Sequence, residues 1–268
     1  MSNLYDIVIP VGPSDSDQIN DQLNFTTKNI IGYRNIYLIC YDPTIKIIDK
    51  SIIIIDENIF PFTIKDVAKY HSKYNRNGWY LQQLLKLYAG LVIPGILERY
   101  LVIDADTYFL KPTVFVEDNK CLYNTGNEYH IPYFQHMLKL YPSMEKQIQE
   151  SGICHHMIFE KKYINQLFAT VEEYNNTNNN SDNYQYFWQI FLEKVNIDSL
   201  IYPDASKYEL KYNLYSGASE YELYFNYMLK YHNDKIKIRK LEWTNVSNNP
   251  KNYTESKYNY VSWHYYIR

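Results

Sequence analysis

Over its first hundred residues the chain alternates short apolar runs with amphipathic stretches, and this alternation limits the fold more than any other feature of the sequence. Tyr5 to Val11 (YDIVIPV), Asn35 to Cys40 (NIYLIC), Ser51 to Ile55 (SIIII) and Tyr100 to Asp104 (YLVID) read as buried strands. The first opens into Gly12-Pro13, and Pro94-Gly95 breaks the chain before the last. Between them, Asp17 to Asn29 predicts a helix, and Thr63 with Asp66 predicts a cap for a second over 64–74. Trp79 to Ala89 predicts a third, with Leu81, Leu84, Leu85 and Tyr88 at i, i+3, i+4 and i+7 and Gly90 where a terminating glycine belongs. Strands and helices alternating at this spacing favour a parallel α/β sheet, and such sheets bind ligands at the carboxyl ends of their strands.

The second half is less regular. Ser219 to Leu229 predicts a helix, Lys235 to Trp243 and Tyr258 to Tyr266 predict strands, and the asparagine-rich Tyr174 to Asn183 reads as a mobile surface loop. With 268 residues, 46% of them hydrophobic, and no internal repeat, the expected organisation is one domain over 1–268. Its first half, 1–115, would bind the ligand and 116–268 would vary more. A formal net charge of −3 without a basic run excludes nucleic acid as the main partner. Three widely spaced cysteines, Cys40, Cys121 and Cys154, give neither a disulfide framework nor a zinc site. No apolar run is long enough to span a bilayer, and the opening MSNLYDIVIPVGPSD has no basic, apolar leader. The expectation is a cytoplasmic protein with no transmembrane segment.

The strongest chemical signal is RYLVIDADTYFLKP. Side chains two apart on a strand share a face, so Asp104 and Asp106, flanking Ala105, are expected to present two carboxylates to one space. Unpaired, they would repel, and a divalent cation resolves that conflict: Mg²⁺ and Mn²⁺ combine one or two carboxylates with substrate phosphates. The plain alternative is a solvated Asp-Xaa-Asp turn. A haloacid-dehalogenase phosphatase also carries Asp-Xaa-Asp after a strand, but its threonine lies two residues past the second Asp, where this chain has Tyr108. A sugar nucleotidyltransferase needs a glycine-rich, basic loop after the first strand, and VGPSDSD is neither.

The stretch resembles the metal-binding Asp-Xaa-Asp of GT-A glycosyltransferases, and NGWYLQQLLKLYAG resembles their donor-side helix. The chain is also similar to uncharacterised glycosyltransferase-like proteins of giant DNA viruses of the mimivirus type, which would place it in host cytoplasm or a virion. The resemblance implies a Rossmann-like α/β domain of GT-A type, a mixed central sheet flanked by helices, whose first half binds a nucleotide-sugar. It implies a metal-dependent glycosyltransferase with a UDP-sugar donor favoured, a glycan or protein acceptor, and Mn²⁺ or Mg²⁺ as cofactor. Asp104 then contacts the donor ribose at the metal, Asp106 binds the metal, and His264 in YVSWHYYIR is the candidate third ligand, the alternative being a packed histidine. Pro10, Val11 and Gly12 match the seat of the nucleobase, while Arg76, Gln83 and Lys86 around the 79–89 helix are candidate donor contacts. Near the start of the later helix, Ser219 and Glu222 fit a capping box, which leaves Glu220 as the candidate general base. His155, His156 and Trp188 are candidate acceptor contacts, with at most one of the adjacent histidines facing the site. A catalytically inactive sugar-nucleotide or glycan-binding module is the rival reading.

Overall fold

The computed structural model describes residues 3–71, 76–178, 183–195 and 216–268. The chain opens with β1 (Tyr5–Val11), α1 (Ile19–Asn29), β2 (Ile30–Ile31), β3 (Tyr33–Cys40) and β4 (Ile53–Asp56). Helices α2 (Ile64–His71) and α3 (Asn77–Val92) lead to β5 (Arg99–Ile103) and β6 (Thr107–Phe109). Three short strands follow, β7 (Thr113–Val114), β8 (Val116–Glu117) and β9 (Lys120–Tyr123), and then α4 (Ile131–Leu140) and β10 (His156–Glu160). The remainder is α5 (Lys161–Asn178), α6 (Phe187–Glu193), α7 (Glu220–Tyr231), β11 (Ile236–Ile238), β12 (Trp243–Asn245) and β13 (Tyr260–Ser262).

The central sheet has the order β10-β5-β1-β3-β4. β1, β3, β4 and β5 run parallel, and β10 is antiparallel to β5. All seven residues of β1 are buried, as a continuous apolar run in the middle of a parallel sheet must be. Helix α3 packs on β1 and β5, and α5 packs on β10. This is a mixed α/β fold with a central, mostly parallel sheet flanked by helices.

Local differences from the sequence expectation have physical causes. Helix α3 continues past Gly90 to Val92, so that glycine does not end it. A methyl group on Gly90 would overlap the Tyr100 ring, so the glycine lets α3 approach β5 closely. Residues 174–178 of the asparagine-rich stretch are the last turn of α5, held in part by Asn175, which donates to the carbonyl oxygens of Leu140 and Val171 at 2.8 Å each. Residues 179–182 of that expected loop lie outside the described residues. The Thr63–Asp66 cap forms: the Thr63 amide and hydroxyl donate to Asp66 Oδ2 at 3.0 and 2.8 Å. All three cysteines are buried and free. Among the described residues, no helix is long and apolar enough to cross a membrane.

One long-range pairing shapes the carboxyl end of the sheet. β13 lies antiparallel to β6, with Ser262 opposite Thr107 and their hydroxyls 3.0 Å apart. This pairing carries residues near the end of the chain to the turn that follows β5.

Candidate active site

β5 ends at Ile103, so the two aspartates stand on a turn and not on the strand itself. The Thr107 amide closes this turn on the Asp104 carbonyl at 2.9 Å. The two-residue alternation of a strand therefore does not apply, and the carboxylates face different partners.

Both oxygens of Asp104 are engaged. It takes Lys86 Nζ at 2.5 Å, the Tyr221 hydroxyl at 2.9 Å and His155 Nδ1 at 3.2 Å. Its backbone amide donates to the His155 carbonyl at 2.9 Å. Lys86 is 3% exposed and also donates to Glu220 Oε1 at 2.7 Å, and its ammonium lies 4.5 Å from the centre of the Tyr221 ring. Burial works against the Lys86 charge, but Asp104 and Glu220 outweigh it and raise the lysine above its ordinary value. Burial also works against the Asp104 charge, yet Lys86 and then His155 hold that carboxyl well below the usual carboxylate range. Glu220 shifts the other way: burial pushes it up in spite of Lys86. One buried ammonium thus serves two carboxylates, and Asp104 has the larger share.

Asp106 is half satisfied. Its Oδ2 receives His264 Nδ1 at 2.6 Å, while its buried Oδ1 has no hydrogen-bond partner among the described residues. β13 stops at Ser262, so His264 is not one of a strand face. Its approach is fixed instead by the Trp263 amide, which donates to the Asp106 carbonyl at 2.8 Å. Burial lowers the His264 pKa, but the hydrogen bond to Asp106 prevails and the imidazole is raised overall. Asp15, in the loop after β1, is bound to Arg268 at 2.9 Å and is pushed up by burial and then by the charge of Asp106.

An unpartnered carboxylate oxygen beside an imidazole fits a divalent cation. Among the described residues, however, no group of three His, Cys, Asp or Glu side chains could hold a metal ion without help. Asp106 and His264 could supply a partial set, to be completed by phosphate oxygens or water.

The other predicted residues divide between the site and its supports. His155 has φ +62°, a left-handed backbone uncommon for a non-glycine residue, and its ring lies edge-on to Trp243 and 4.8 Å from the His264 ring. His156 turns away into the core, where Nδ1 donates to the Cys154 carbonyl at 2.8 Å and the ring meets Phe109, Phe115 and Tyr260. Burial pushes its pKa down to about 3. Gln83 is buried, and its Oε1 accepts the Glu220 amide at 3.1 Å. Arg76 precedes α3, stacks on Trp79 at 4.6 Å and donates to the Ser216 hydroxyl. Pro10 and Val11 are buried at the end of β1, and a Cβ at Gly12 would meet nothing within 4 Å. Trp188 packs on Phe62 and Tyr70 between α2 and α6. Ala105 is buried in the turn.

At the start of α7 the Ser219 side chain caps the Glu222 amide at 3.3 Å, but the reciprocal half of the capping box is not made. The Glu222 carboxylate instead takes the Ser151 hydroxyl at 2.6 Å and Asn226 Nδ2 at 2.8 Å. Sequence reasoning missed Tyr221, Asp15 and Arg268. Tyr221 looks like one more core tyrosine among 31, and the Asp15–Arg268 pair spans nearly the whole chain.

A family described as "Family of unknown function (DUF6492)" matches residues 32–259. No functionally curated protein matches the sequence. Among solved structures, the apo form of mouse xyloside xylosyltransferase 1 is similar over 99% of both chains, at 9% identity and a TM-score of 0.42.

Proposed function

The chain belongs to DUF6492, a family of unknown function, and we propose that it is a glycosyltransferase, moving a sugar from a nucleotide-sugar donor to a glycan or protein hydroxyl. The observation that supports this most is the junction of Asp106 and His264, 158 residues apart in sequence, with one buried Asp106 oxygen left unpartnered. It lies beyond the carboxyl end of β5, where open parallel sheets bind their ligands.

In this reading the donor diphosphate lies over the 104–107 turn. Asp106 and His264 would hold Mn²⁺ or Mg²⁺, and the bound cation supplies positive charge against the charge that develops on the departing diphosphate. Asp104, kept ionised by Lys86, is rigid enough to accept a hydrogen bond from a donor hydroxyl. Pro10, Val11 and the open space at Gly12 would seat the base, and Arg76 would approach the phosphates. UDP is the favoured nucleotide. His155 would face the transferred sugar. Lys86, Gln83 and Glu220 act as supports beneath Asp104 and the start of α7.

The test is thermal unfolding with UDP-, GDP- and dTDP-sugars, each with and without Mn²⁺, on the wild type and on Asp106→Ala. A ligand that binds only the folded form raises the unfolding temperature. The expected result is a rise with one sugar nucleotide that grows when Mn²⁺ is added, with the Mn²⁺-dependent part absent in Asp106→Ala. No rise with any sugar nucleotide would refute the function.

A further inference from the structure

The loop that follows β1 and the turn that carries His264 are far apart in sequence, and one side chain ties them together. Arg268 Nη2 donates to Asp15 Oδ1 at 2.9 Å and Nη1 donates to the Ser14 carbonyl at 3.2 Å. Its Nε donates to the Trp263 carbonyl at 2.8 Å, and the guanidinium lies 5.1 Å from the centre of the Trp263 ring. Arg268 as a residue is exposed, but only 14% of its side chain is, and 17% of the Asp15 side chain. The pair is thus more sheltered than the solvated ion pairs that contribute little. A guanidinium suits the position because its planar fork can hold acceptors on two segments at once, where an ammonium is a point charge.

Each end of this clasp continues into the candidate site. On the β1 side, the Asp15 amide donates to the Gly12 carbonyl at 3.2 Å, and the Asp15 carbonyl accepts the Gln18 amide at 3.1 Å. The loop is therefore a folded turn that starts at Gly12. On the other side, the Trp263 amide donates to the Asp106 carbonyl at 2.8 Å, and His264 Nδ1 reaches Asp106 Oδ2 at 2.6 Å. Hydrogen bonds run without a gap from Gly12 through Asp15, Arg268 and Trp263 to Asp106.

The clasp stands where regular structure gives out. β13 ends at Ser262, and a short 3-10 turn over Tyr265–Ile267 follows. No sheet ladder fixes Trp263 and His264. The Trp263 peptide is held instead from both sides, by Asp106 at its amide and by Arg268 at its carbonyl.

We propose that Arg268 is a positioning residue that joins the two halves of the site, an inference that rests on the nucleotide-sugar reading. It touches neither ligand. It sets the span between a base seated at Pro10 to Gly12 and a cation at Asp106 and His264, which is the span that a nucleoside diphosphate bridges. With the clasp in place both halves are arranged before the ligands arrive. Without it, the loop and the histidine must be ordered during binding, and affinity falls by that amount.

The experiment measures Mn²⁺ binding in the presence of UDP, from the electron paramagnetic resonance signal of free Mn²⁺, beside urea unfolding of the unliganded protein. Arg268→Ala should keep a cooperative unfolding transition and bind Mn²⁺ about 10- to 100-fold more weakly, the scale for a residue that orients a metal ligand from behind. Asp15→Asn should weaken binding less, and the double variant should bind no more weakly than Arg268→Ala, because both act through one joint. If Arg268→Ala does not fold, Arg268→Lys takes its place with the same expected loss, since one ammonium cannot replace the fork. Mn²⁺ affinity kept at the wild-type value in the folded variant would overturn the assignment, as would losses from Asp15 and Arg268 that multiply in the double variant. A wild type that leaves Mn²⁺ free in the presence of UDP would instead remove the reading on which the assignment rests.

Discussion

Asp104 and Asp106 are two residues apart and have opposite roles in the structure. Asp104 is part of a closed assembly in which Lys86, Tyr221 and His155 engage both its oxygens and Lys86 is shared with Glu220. Asp106 is part of an open one, bound by His264 on one oxygen and by nothing on the other. Buried charge holds geometry in the first arrangement, and in the proposed function a ligand completes the second. The same division separates His156, sealed among aromatic rings, from His155 beside it. Neighbours in sequence are therefore poor guides to shared function when the chain turns between them.

Lys86→Met tests the closed side hardest. It strands two carboxylates in the interior and is expected to cost about 3–5 kcal/mol of stability, measured by urea unfolding. A loss under about 1 kcal/mol would mean that the triad is not the support described here. Tyr221→Phe removes one donor to an ionised Asp104 and should cost about 2 kcal/mol in the same assay.

His156 gives the closed side a pH signature. Its folded pKa, about 3, is below the unfolded value near 6.5, so the unfolded chain binds the proton first as pH falls. The stability is intact above pH 6.5 and is lost on acidification toward pH 3, by about 1 kcal/mol per pH unit. His156→Gln should lack that part of the slope; an unchanged slope would show that the ring is not sealed from protons. The smallest effect belongs to the open side. Asp106→Ala gives up the His264 hydrogen bond but also removes a buried oxygen that has no partner, and the two should offset to leave the unfolding free energy within about 1 kcal/mol of wild type.

How much of this was legible in the sequence depends on the range of the interaction. β1, β3 and β5 follow from apolar runs, and the Thr63–Asp66 cap from residues three apart, because these signals are local. The aspartates were visible as a pair, but their divergence was not: it depends on β5 stopping at Ile103, one residue before the strand pattern does. Gly90 carried the signature of a helix end and serves instead as a packing notch against Tyr100. The meeting of His264 with Asp106 depends on the pairing of β13 with β6, which no local pattern encodes.

The proposed chemistry requires a cation to complete the open side, and the most direct measurement is electron paramagnetic resonance of Mn²⁺ titrated with nucleoside diphosphate into the wild type, Asp106→Ala and His264→Ala. Wild-type protein should remove the free Mn²⁺ signal in the presence of UDP, and both variants should leave most of it, with their fold retained. If Asp106→Ala binds Mn²⁺ as tightly as the wild type, the free oxygen on Asp106 does not mark a metal position and the proposed chemistry has no place in this cleft.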